Sequence, residues 1–212
     1  MYESTKYYRG ERNEVARLLP NSYSKVLEIG CGEGGFRTNL TEQNEYWGVE
    51  PEENVAKAAE ANLDNVLVGT YQEVEPDLPD DYFDLIICND VIEHMPNHDY
   101  FLDDIKNKLA NNGRLVISIP NVRYVWNLYE LLIRKDWKYR ELGILDRTHL
   151  RFFTRKSLIR TLLEHNYVIE ELSGINNYKW EGFIKGLPYI LAISILGKDI
   201  KYLQFGARVK KQ

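Results

Sequence analysis

Short apolar segments alternate with helical patterns over the first 120 residues of the chain. The segments are bounded by Gly, Asn, Asp or Pro, as strands usually are, and they span residues 25–30, 45–50, 65–69, 84–89 and 114–120. The last two are almost continuously apolar, which is typical of central strands in a parallel sheet covered on both faces. Helices are predicted between strands, over residues 54–61 and 99–110. This alternation predicts βαβ units and an α/β fold with a doubly wound sheet.

The second half of the chain has a different pattern. Residues 124–134 form a helical stretch rich in aromatic residues and Leu. Thr154 has the character of an N-cap, and Asn166 is expected to close the helix that follows in the left-handed conformation. Two further strands are predicted over residues 168–173 and 202–209. The sheet is therefore expected to continue beyond the first five strands.

Composition limits the class of protein. The 212 residues, 44% apolar and 28% charged, are ordinary for a single globular domain. The balance of 27 basic against 32 acidic residues gives no basic field for nucleic acid, and the two cysteines, Cys31 and Cys88, fit a reducing cytosol. The polar N-terminus does not resemble a signal peptide. We therefore expect a soluble cytoplasmic domain.

One apolar run, residues 187–196, leaves two interpretations open. It has about half the length that crosses a bilayer. The favoured interpretation is a helix packed on the sheet; the other is an interfacial patch that docks on an anionic membrane to reach a lipid-linked acceptor. The second would use the basic residues that follow the run, Lys198, Lys201, Arg208, Lys210 and Lys211.

A glycine-rich loop gives the sharpest local signal. The sequence VLEIGCGEGGF places Gly30, Gly32, Gly34 and Gly35 directly after a predicted strand and before a helical pattern. Glycines let the main chain turn with positive φ and let a ligand approach it closely. The spacing Gly30-x-Gly32-x-x-Gly35 also matches the dinucleotide fingerprint, so a nicotinamide-dependent oxidoreductase is an alternative.

Three neighbouring features favour another ligand. Glu28 lies two residues before the first glycine, where a carboxylate would repel a pyrophosphate and suit an ammonium group. Glu50 ends the second strand, in position to bind both ribose hydroxyls of an adenosine. The fourth strand ends in a polar cluster over residues 89–95, at the edge where open sheets bind ligands.

These motifs together resemble the class I S-adenosylmethionine-dependent methyltransferases. The resemblance rests on the glycine loop, Glu50 and DDYFDLIICNDVIEHM; NGRLVISIPN and LDRTHLRFFT resemble the branch of ubiquinone-biosynthesis and cell-surface-sugar methyltransferases. It spans about residues 7–172. It implies a Rossmann-like sheet of seven strands, mostly parallel with an antiparallel last strand, and S-adenosyl-L-methionine as cofactor with S-adenosyl-L-homocysteine as product.

The resemblance also implies a division of the chain into parts of one methyltransferase domain. Residues 1–24 would form an N-terminal helical cap and 25–121 the cofactor-binding core. Lid or substrate elements would lie at 122–155 and 174–200, with closing elements at 156–173 and 201–212.

Residue roles follow from the same resemblance. An N-terminal segment carrying Tyr8 and Arg12 would close over the cofactor. Many relatives carry an Asp where Thr70 stands, so the contact with the adenine amine departs from the family pattern here. The remaining implied cofactor contacts are Glu28, Gly30, Cys31, Gly32, Glu50, Pro51, Thr70, Tyr71, Gln72, Asn89, Asp90, Val91 and His94.

A hydroxyl on a small molecule is the expected methyl acceptor. Its proton would go to a base, and His94 or His149 is the candidate for that role; His98 and His165 are expected at the surface. The aromatic residues are equally consistent with core packing. The predicted substrate pocket comprises Asn121, Tyr124, Tyr129, Trp137, Asp146, His149, Phe152 and Trp180.

Other interpretations of the site residues stay open. Asp146 and Arg147 form either a local ion pair or a substrate contact, and the cysteines are expected to be buried apolar residues. No zinc-ligand spacing is present, so no metal site is predicted. The alternatives to a methyltransferase are the nicotinamide-dependent oxidoreductase and a non-catalytic cofactor-binding module.

Overall fold

Seven strands form one sheet in the part of the chain that the structure describes. The structure is a computed structural model that describes residues 10–40, 43–178 and 183–212; Tyr8 and Trp180, two of the predicted site residues, lie outside these ranges. The strands are β1 (Lys25–Ile29), β2 (Glu45–Glu50), β3 (Asn65–Val68), β4 (Phe83–Asn89), β5 (Leu109–Pro120), β6 (Tyr167–Asn177) and β7 (Tyr202–Lys211).

The strand order confirms the predicted fold class. Along the sheet the strands run β3-β2-β1-β4-β5-β7-β6. The first five strands pair in parallel, whereas β7 pairs antiparallel with both β5 and β6. The sheet is therefore a doubly wound, Rossmann-like sheet of seven strands, and its last strand has the direction that the sequence predicted.

Helices connect the strands. Thr154 caps α6 by accepting a hydrogen bond from the Ser157 main-chain N–H, and Asn166 follows that helix with a φ of 57°; both predictions are confirmed. The α-helices are α1 (Asn13–Ala16), α2 (Glu53–Ala59), α3 (Tyr71–Val74), α4 (His98–Lys108), α5 (Val125–Leu132), α6 (Arg155–Glu164) and α7 (Phe183–Leu196).

Two predicted helices differ from the structure. The helical pattern after the glycine loop is a single 3-10 turn, Gly35–Asn39. Helix α4 stops at Lys108 because Leu109 is fully buried and already pairs with Phe83 in the sheet. Gly113 is therefore a strand residue and not a helix terminator: a Cβ there would lie 2.7 Å from the Phe83 carbonyl oxygen.

The apolar residues of the strands bury two cores, one on each side of the sheet. Leu27 and Ile29 belong to one core, with Phe101 and Leu158 from the helices. Val26 belongs to the other. Alternate side chains of a strand point to opposite faces, so these residues leave the strand ends free for polar chemistry. The carboxyl ends of β1, β2 and β4 lie at one edge of the sheet, where α/β folds bind ligands.

Helix α7 contains the apolar run. No helix in the described ranges combines the length and the apolar character needed to cross a membrane. Leu191 and Ile195 on α7 are 60% and 72% exposed, so part of this helix faces away from the core. The favoured interpretation, a helix packed on the sheet, stays a prediction, and so does the alternative of an interfacial patch.

Candidate active site

The glycine loop brings a bare main chain to the ends of β1 and β2. Gly30, Gly32 and Gly34 have φ values of 70°, 54° and 80°, a region that L side chains rarely adopt. The Gly30 and Cys31 N–H groups donate to the Val49 carbonyl oxygen at 2.8 and 3.1 Å. A Cβ on Gly30 would lie 2.9 Å from Val91 Cγ2, so only glycine lets the loops after β1 and β4 come this close.

The same geometry disfavours a dinucleotide. A pyrophosphate in dinucleotide-binding folds lies on the N-terminus of a helix that follows the glycine loop. Here that helix is replaced by the 3-10 turn Gly35–Asn39. The fingerprint spacing is present, but the helix that would hold the diphosphate is not seen in this part of the described chain.

Glu50 is tied to the glycine loop. Its Oε2 accepts the Gly32 N–H at 3.0 Å and its Oε1 accepts the Glu52 N–H at 3.1 Å. The side chain is 5% exposed, and this burial raises its pKa, against the two main-chain hydrogen bonds that lower it. The carboxylate therefore lies beside a stretch of main chain that a ligand can approach.

Glu28 is a buried acid behind that loop. It is 3% exposed, and the Tyr46 hydroxyl donates to its Oε2 at 2.6 Å. Burial raises the pKa of Glu28 to about 8, and the Tyr46 hydrogen bond lowers it only in part. A buried carboxyl with few partners suits a cationic group such as an ammonium.

Arg12 reaches the end of β4 from the N-terminal segment. It forms an ion pair with Asp90, and its Nη2 donates to Ser118 Oγ at 3.1 Å. Gln204 also donates to both Asp90 carboxylate oxygens, at 2.8 and 2.7 Å. The predicted segment thus contacts the predicted edge. The Ser118 hydroxyl could have been noticed in the apolar run LVISI, whereas nothing in the sequence signals Gln204.

The side chains of the residues after β3, which are predicted to contact adenine, are partly engaged within the protein. Thr70 forms a capping box with Glu73, donating both its N–H and its hydroxyl to that carboxylate. The Tyr71 ring is 2% exposed and its hydroxyl donates to Asp104. Thr70 and Gln72 are exposed, whereas Tyr71 is buried. Any contact of Tyr71 with adenine would therefore use the main chain, and the Thr70 hydroxyl has already given its hydrogen to Glu73.

Four other predicted cofactor residues lie in or beside the loop, and the Cys31 thiol donates to the Gly32 carbonyl oxygen at 3.6 Å. Val91 covers Gly30, and Pro51 is exposed at the end of β2. Cys31 is 5% exposed, and burial raises its pKa far above the ordinary value, so it is an inert apolar residue. Asn89 ends β4 opposite Ser118 of β5.

Two histidines meet beside a buried carboxylate. The rings of His94 and His149 lie 4.6 Å apart, edge to face. Glu93 is 1% exposed, and neither of its carboxylate oxygens has a hydrogen-bond partner; burial raises its pKa well above the ordinary value. The His149 Nε2 lies 4.0 Å from Glu93 Oε1.

Glu93, His94 and His149 also have the composition of a metal site. Each offers a ligand atom, and these atoms all lie within 4.8 Å of one another. Carboxylate and imidazole are common ligands of divalent metals. The sequence spacing gave no such signal because His149 is far from the other two, and the predicted lack of a metal site stays a prediction.

A cavity of about 390 Å³ is lined mainly by residues between 124 and 145. Tyr124 lines it, together with Trp126, Lys138 and Arg140 among others. Ile144 also lines it and accepts a hydrogen bond from the His149 ring at 2.9 Å. Neither histidine lines the cavity, and the Ile144 carbonyl links its wall to His149.

Three of the other predicted pocket residues are aromatic, and a fourth, Asn121, is a buried amide. Trp137 and Phe152 stack edge to face with centroids 5.4 Å apart, and Tyr129 is 42% exposed. Asn121 is fully buried, and its amide donates to two main-chain carbonyls, of Asp199 and Tyr202. Asn121 is thus committed to holding β7 in place, and it has no free amide hydrogen for a substrate.

Asp146 does not pair with its neighbour Arg147. Arg147 forms its ion pair with Glu141 at 2.9 Å. Asp146 Oδ1 instead accepts the Thr148 N–H and hydroxyl, at 2.8 and 2.6 Å. Thr148 is a residue that the sequence did not single out.

The sheet order and the edge that carries the glycine loop, Glu50 and the β4 end define a Rossmann-like domain for a nucleoside cofactor. A family model described as "Methyltransferase domain" matches residues 5–172. The chain therefore belongs to the Methyltransferase domain family. The cofactor that this membership implies is S-adenosylmethionine.

Two curated relatives have sequence identities below 30% to the chain. The chain is 27% identical over 159 residues to the ubiquinone biosynthesis O-methyltransferase of Bradyrhizobium diazoefficiens, covering 71% of this chain and 61% of that protein. It is 29% identical over 163 residues to the protein of the same name from Rickettsia bellii, covering 71% and 64%. The chain thus spans about three fifths of the length of these relatives.

Solved structures support the fold. A SAM-dependent methyltransferase from Archaeoglobus fulgidus has a TM-score of 0.70 and 22% identity, covering 99% of both chains. A second, from Thermotoga maritima and described as a possible histamine N-methyltransferase, has a TM-score of 0.66 and 22% identity, covering 100% of this chain and 94% of that one. At these identities the likeness concerns the architecture alone.

The residues of this chain fit the implied cofactor. The turn at Gly30 has a positive φ and an exposed main chain. Glu50 offers two carboxylate oxygens beside the loop, and Glu28 offers a buried acid for a cation. These groups lie on neighbouring strands at one edge of the sheet.

Proposed function

We propose that the chain is an S-adenosylmethionine-dependent methyltransferase that transfers a methyl group to a hydroxyl of a small molecule. The observation that carries the proposal is the meeting, at one edge of the sheet, of a cofactor-binding loop and a pair of histidines. Glu50 is bonded to Gly32 of that loop, and His94 follows the end of β4 and contacts His149.

The cofactor-binding roles are assigned from chemistry. Glu50 would accept hydrogen bonds from the two ribose hydroxyls, as an acid at this position does in related folds. Glu28 and the main chain at Gly30 and Gly32 would hold the amino-acid end. Arg12 already lies at the end of β4, where it pairs with Asp90. It would bind the carboxylate at the amino-acid end of the cofactor.

The chain's own residues would align the acceptor and remove its proton. When bound, the cofactor supplies a methyl group activated by a positively charged sulfur. His94 or His149 would accept the proton of the acceptor hydroxyl, as histidine does near neutral pH. The aromatic residues of the lid, Tyr124 and Trp126 among them, would exclude water from the cavity.

Support for a hydroxyl acceptor comes from two sources. The curated relatives are ubiquinone biosynthesis O-methyltransferases by name, and a pair of histidines suits the loss of a hydroxyl proton. A small molecule is favoured over nucleic acid because the chain carries a net charge of −5. A cytoplasmic location is proposed from the sequence alone.

Two measurements test the proposal. In a thermal-shift assay, S-adenosylhomocysteine at a hundred times its dissociation constant should stabilise the fold by about 2.7 kcal/mol, while NADH should not. Labelled S-adenosylmethionine is then offered with a panel of catechols, phenols and sugars. Stabilisation by NADH alone would favour the oxidoreductase, and cofactor binding without transfer to any of the panel would favour a non-catalytic module.

A further inference from the structure

Beside the histidine pair, a threonine and an aspartate form a chain of hydrogen bonds to His94. We propose that Thr148 and Asp146 are positioning residues that hold His94 in the tautomer whose Nε2 carries no proton, so that His94 is the base of the reaction. The role of His94 as a base rests on the proposed function. The tautomer of His94 does not depend on that function.

The tautomer follows from counting protons. The Thr148 hydroxyl has one hydrogen, and it donates that hydrogen to Asp146 Oδ1 at 2.6 Å. Its oxygen lies 3.0 Å from His94 Nδ1 and can therefore only accept there. The Thr148 carbonyl oxygen, 3.3 Å from the same nitrogen, can also only accept. Two acceptors face Nδ1, so Nδ1 carries the proton and Nε2 keeps its lone pair.

Asp146 is held in place for this role. It is 9% exposed, and the Thr148 N–H donates to the same oxygen at 2.8 Å. The loop that carries both residues is fixed to the β4 end, because the Leu150 and Arg151 N–H groups donate to the Glu93 carbonyl at 2.8 and 3.2 Å. Asp146, Thr148 and His94 thus form an arrangement like that in which an aspartate fixes a histidine tautomer in hydrolases.

His149 is placed differently. Its Nδ1 lies 2.9 Å from the Ile144 carbonyl oxygen, so it too carries its proton on Nδ1. It is only 9% exposed, and its Nε2 faces the carboxylate of Glu93 at 4.0 Å. His94 is the more accessible of the two rings, which is why the assignment of the base goes to His94.

Nitrogen NMR of the imidazole rings tests the tautomer without any acceptor. The chain has four histidines, so their signals can be assigned with the single variants H94Q, H98Q, H149Q and H165Q. In the wild-type protein at pH 8, with a chelator present, His94 should show a protonated Nδ1 and a bare Nε2. Thr148→Val removes the acceptor at 3.0 Å and keeps the main-chain carbonyl at 3.3 Å, so part of the His94 population should move to the other tautomer. Thr148→Ser should restore the wild-type tautomer.

Two further variants keep the test decisive. Asp146→Asn should weaken the tautomer preference even if Thr148→Val does not fold, and Thr161→Val on α6 is a matched control that should change nothing. Once an acceptor is known, Thr148→Val should lower kcat at least about tenfold with KM unchanged, and Thr148→Ser should recover it.

The outcomes separate this inference from the proposed function. A protonated Nε2 on His94 in the wild-type protein would overturn the proposed positioning of His94 by Thr148 and Asp146. An unchanged tautomer in both Thr148→Val and Asp146→Asn would overturn it as well. Failure of the wild-type protein to bind S-adenosylhomocysteine would overturn the proposed function and leave the NMR result standing.

Discussion

Replacing Glu28 by glutamine isolates the effect of one buried acid on the stability of the apoprotein. Glu28 is 3% exposed, and Tyr46 donates a hydrogen bond to it at 2.6 Å. Glutamine has nearly the same shape and keeps an oxygen that can accept this hydrogen bond, but it does not titrate. The variant therefore removes the ionisation of residue 28 and little else.

The magnitude follows from the pKa of Glu28. Burial raises it from the ordinary 4.5 to about 8. Because the pKa is higher in the folded state, folding takes up a proton between these values. The stabilisation is complete below pH 4.5 and is lost as the pH rises toward 8. At 1.36 kcal/mol per pH unit the full loss is about 5 kcal/mol.

Urea denaturation at pH 5, 7 and 9 measures this loss. The free energy of unfolding of Glu28→Gln should exceed that of the wild type by an amount that grows with pH, up to about 5 kcal/mol. Glu60→Gln makes the same substitution at an exposed position. It serves as the control, and its free energy of unfolding should follow that of the wild type. Parallel pH profiles for Glu28→Gln and the wild type would refute the buried, protonated state of Glu28.

Ligand binding gives a second readout of the same group. If the ammonium of S-adenosylhomocysteine lies against Glu28, binding makes the carboxyl lose its proton. As the pH is raised toward 8, the wild-type affinity should then increase about tenfold per pH unit. The affinity of Glu28→Gln should lack that dependence.

Other perturbations test single features of the structure. Gly30→Ala should weaken S-adenosylhomocysteine binding, measured by calorimetry, because its Cβ would lie 2.9 Å from a side chain; Gly143→Ala, also at positive φ but with nothing within 4 Å, should not. His165→Ala should destabilise the fold more at pH 5 than at pH 8.5: although burial opposes it, hydrogen bonds to Asp103 and Asp99 raise the pKa of His165, so its contribution is lost as pH rises. Thr154→Ala, which removes an N-cap, should cost about 1 kcal/mol in thermal or urea unfolding.

The sheet was predictable because its signals are local. Apolar runs bounded by turn residues place β2 at residues 45–50 without error, and β1 and β3 end one residue early. The errors lie where tertiary contacts override local pattern. Asn112 and Gly113 have the sequence of a helix end, but pairing with β4 draws them into β5.

The site was predictable only in part. Gly30 and Glu50 belong to a motif that spans the consecutive strands β1 and β2, and the hydrogen bond from the Gly32 N–H to Glu50 joins its two parts. Gln204 and Thr148 were missed because each acts on a residue far away in sequence: Gln204 on Asp90 and Thr148 on His94. Only the folded sheet brings these pairs together.

Calorimetric titration with S-adenosylhomocysteine tests the central claim most directly. The account predicts binding of one ligand per chain to the wild type. Glu50→Ala should weaken it about tenfold to a hundredfold, since a hydrogen bond to a charged group is worth about 1.5–3 kcal/mol. Glu52→Ala, which keeps the main-chain N–H that Glu50 uses, should bind like the wild type. Equal dissociation constants for Glu50→Ala and the wild type, or no binding by the wild type, would contradict the account.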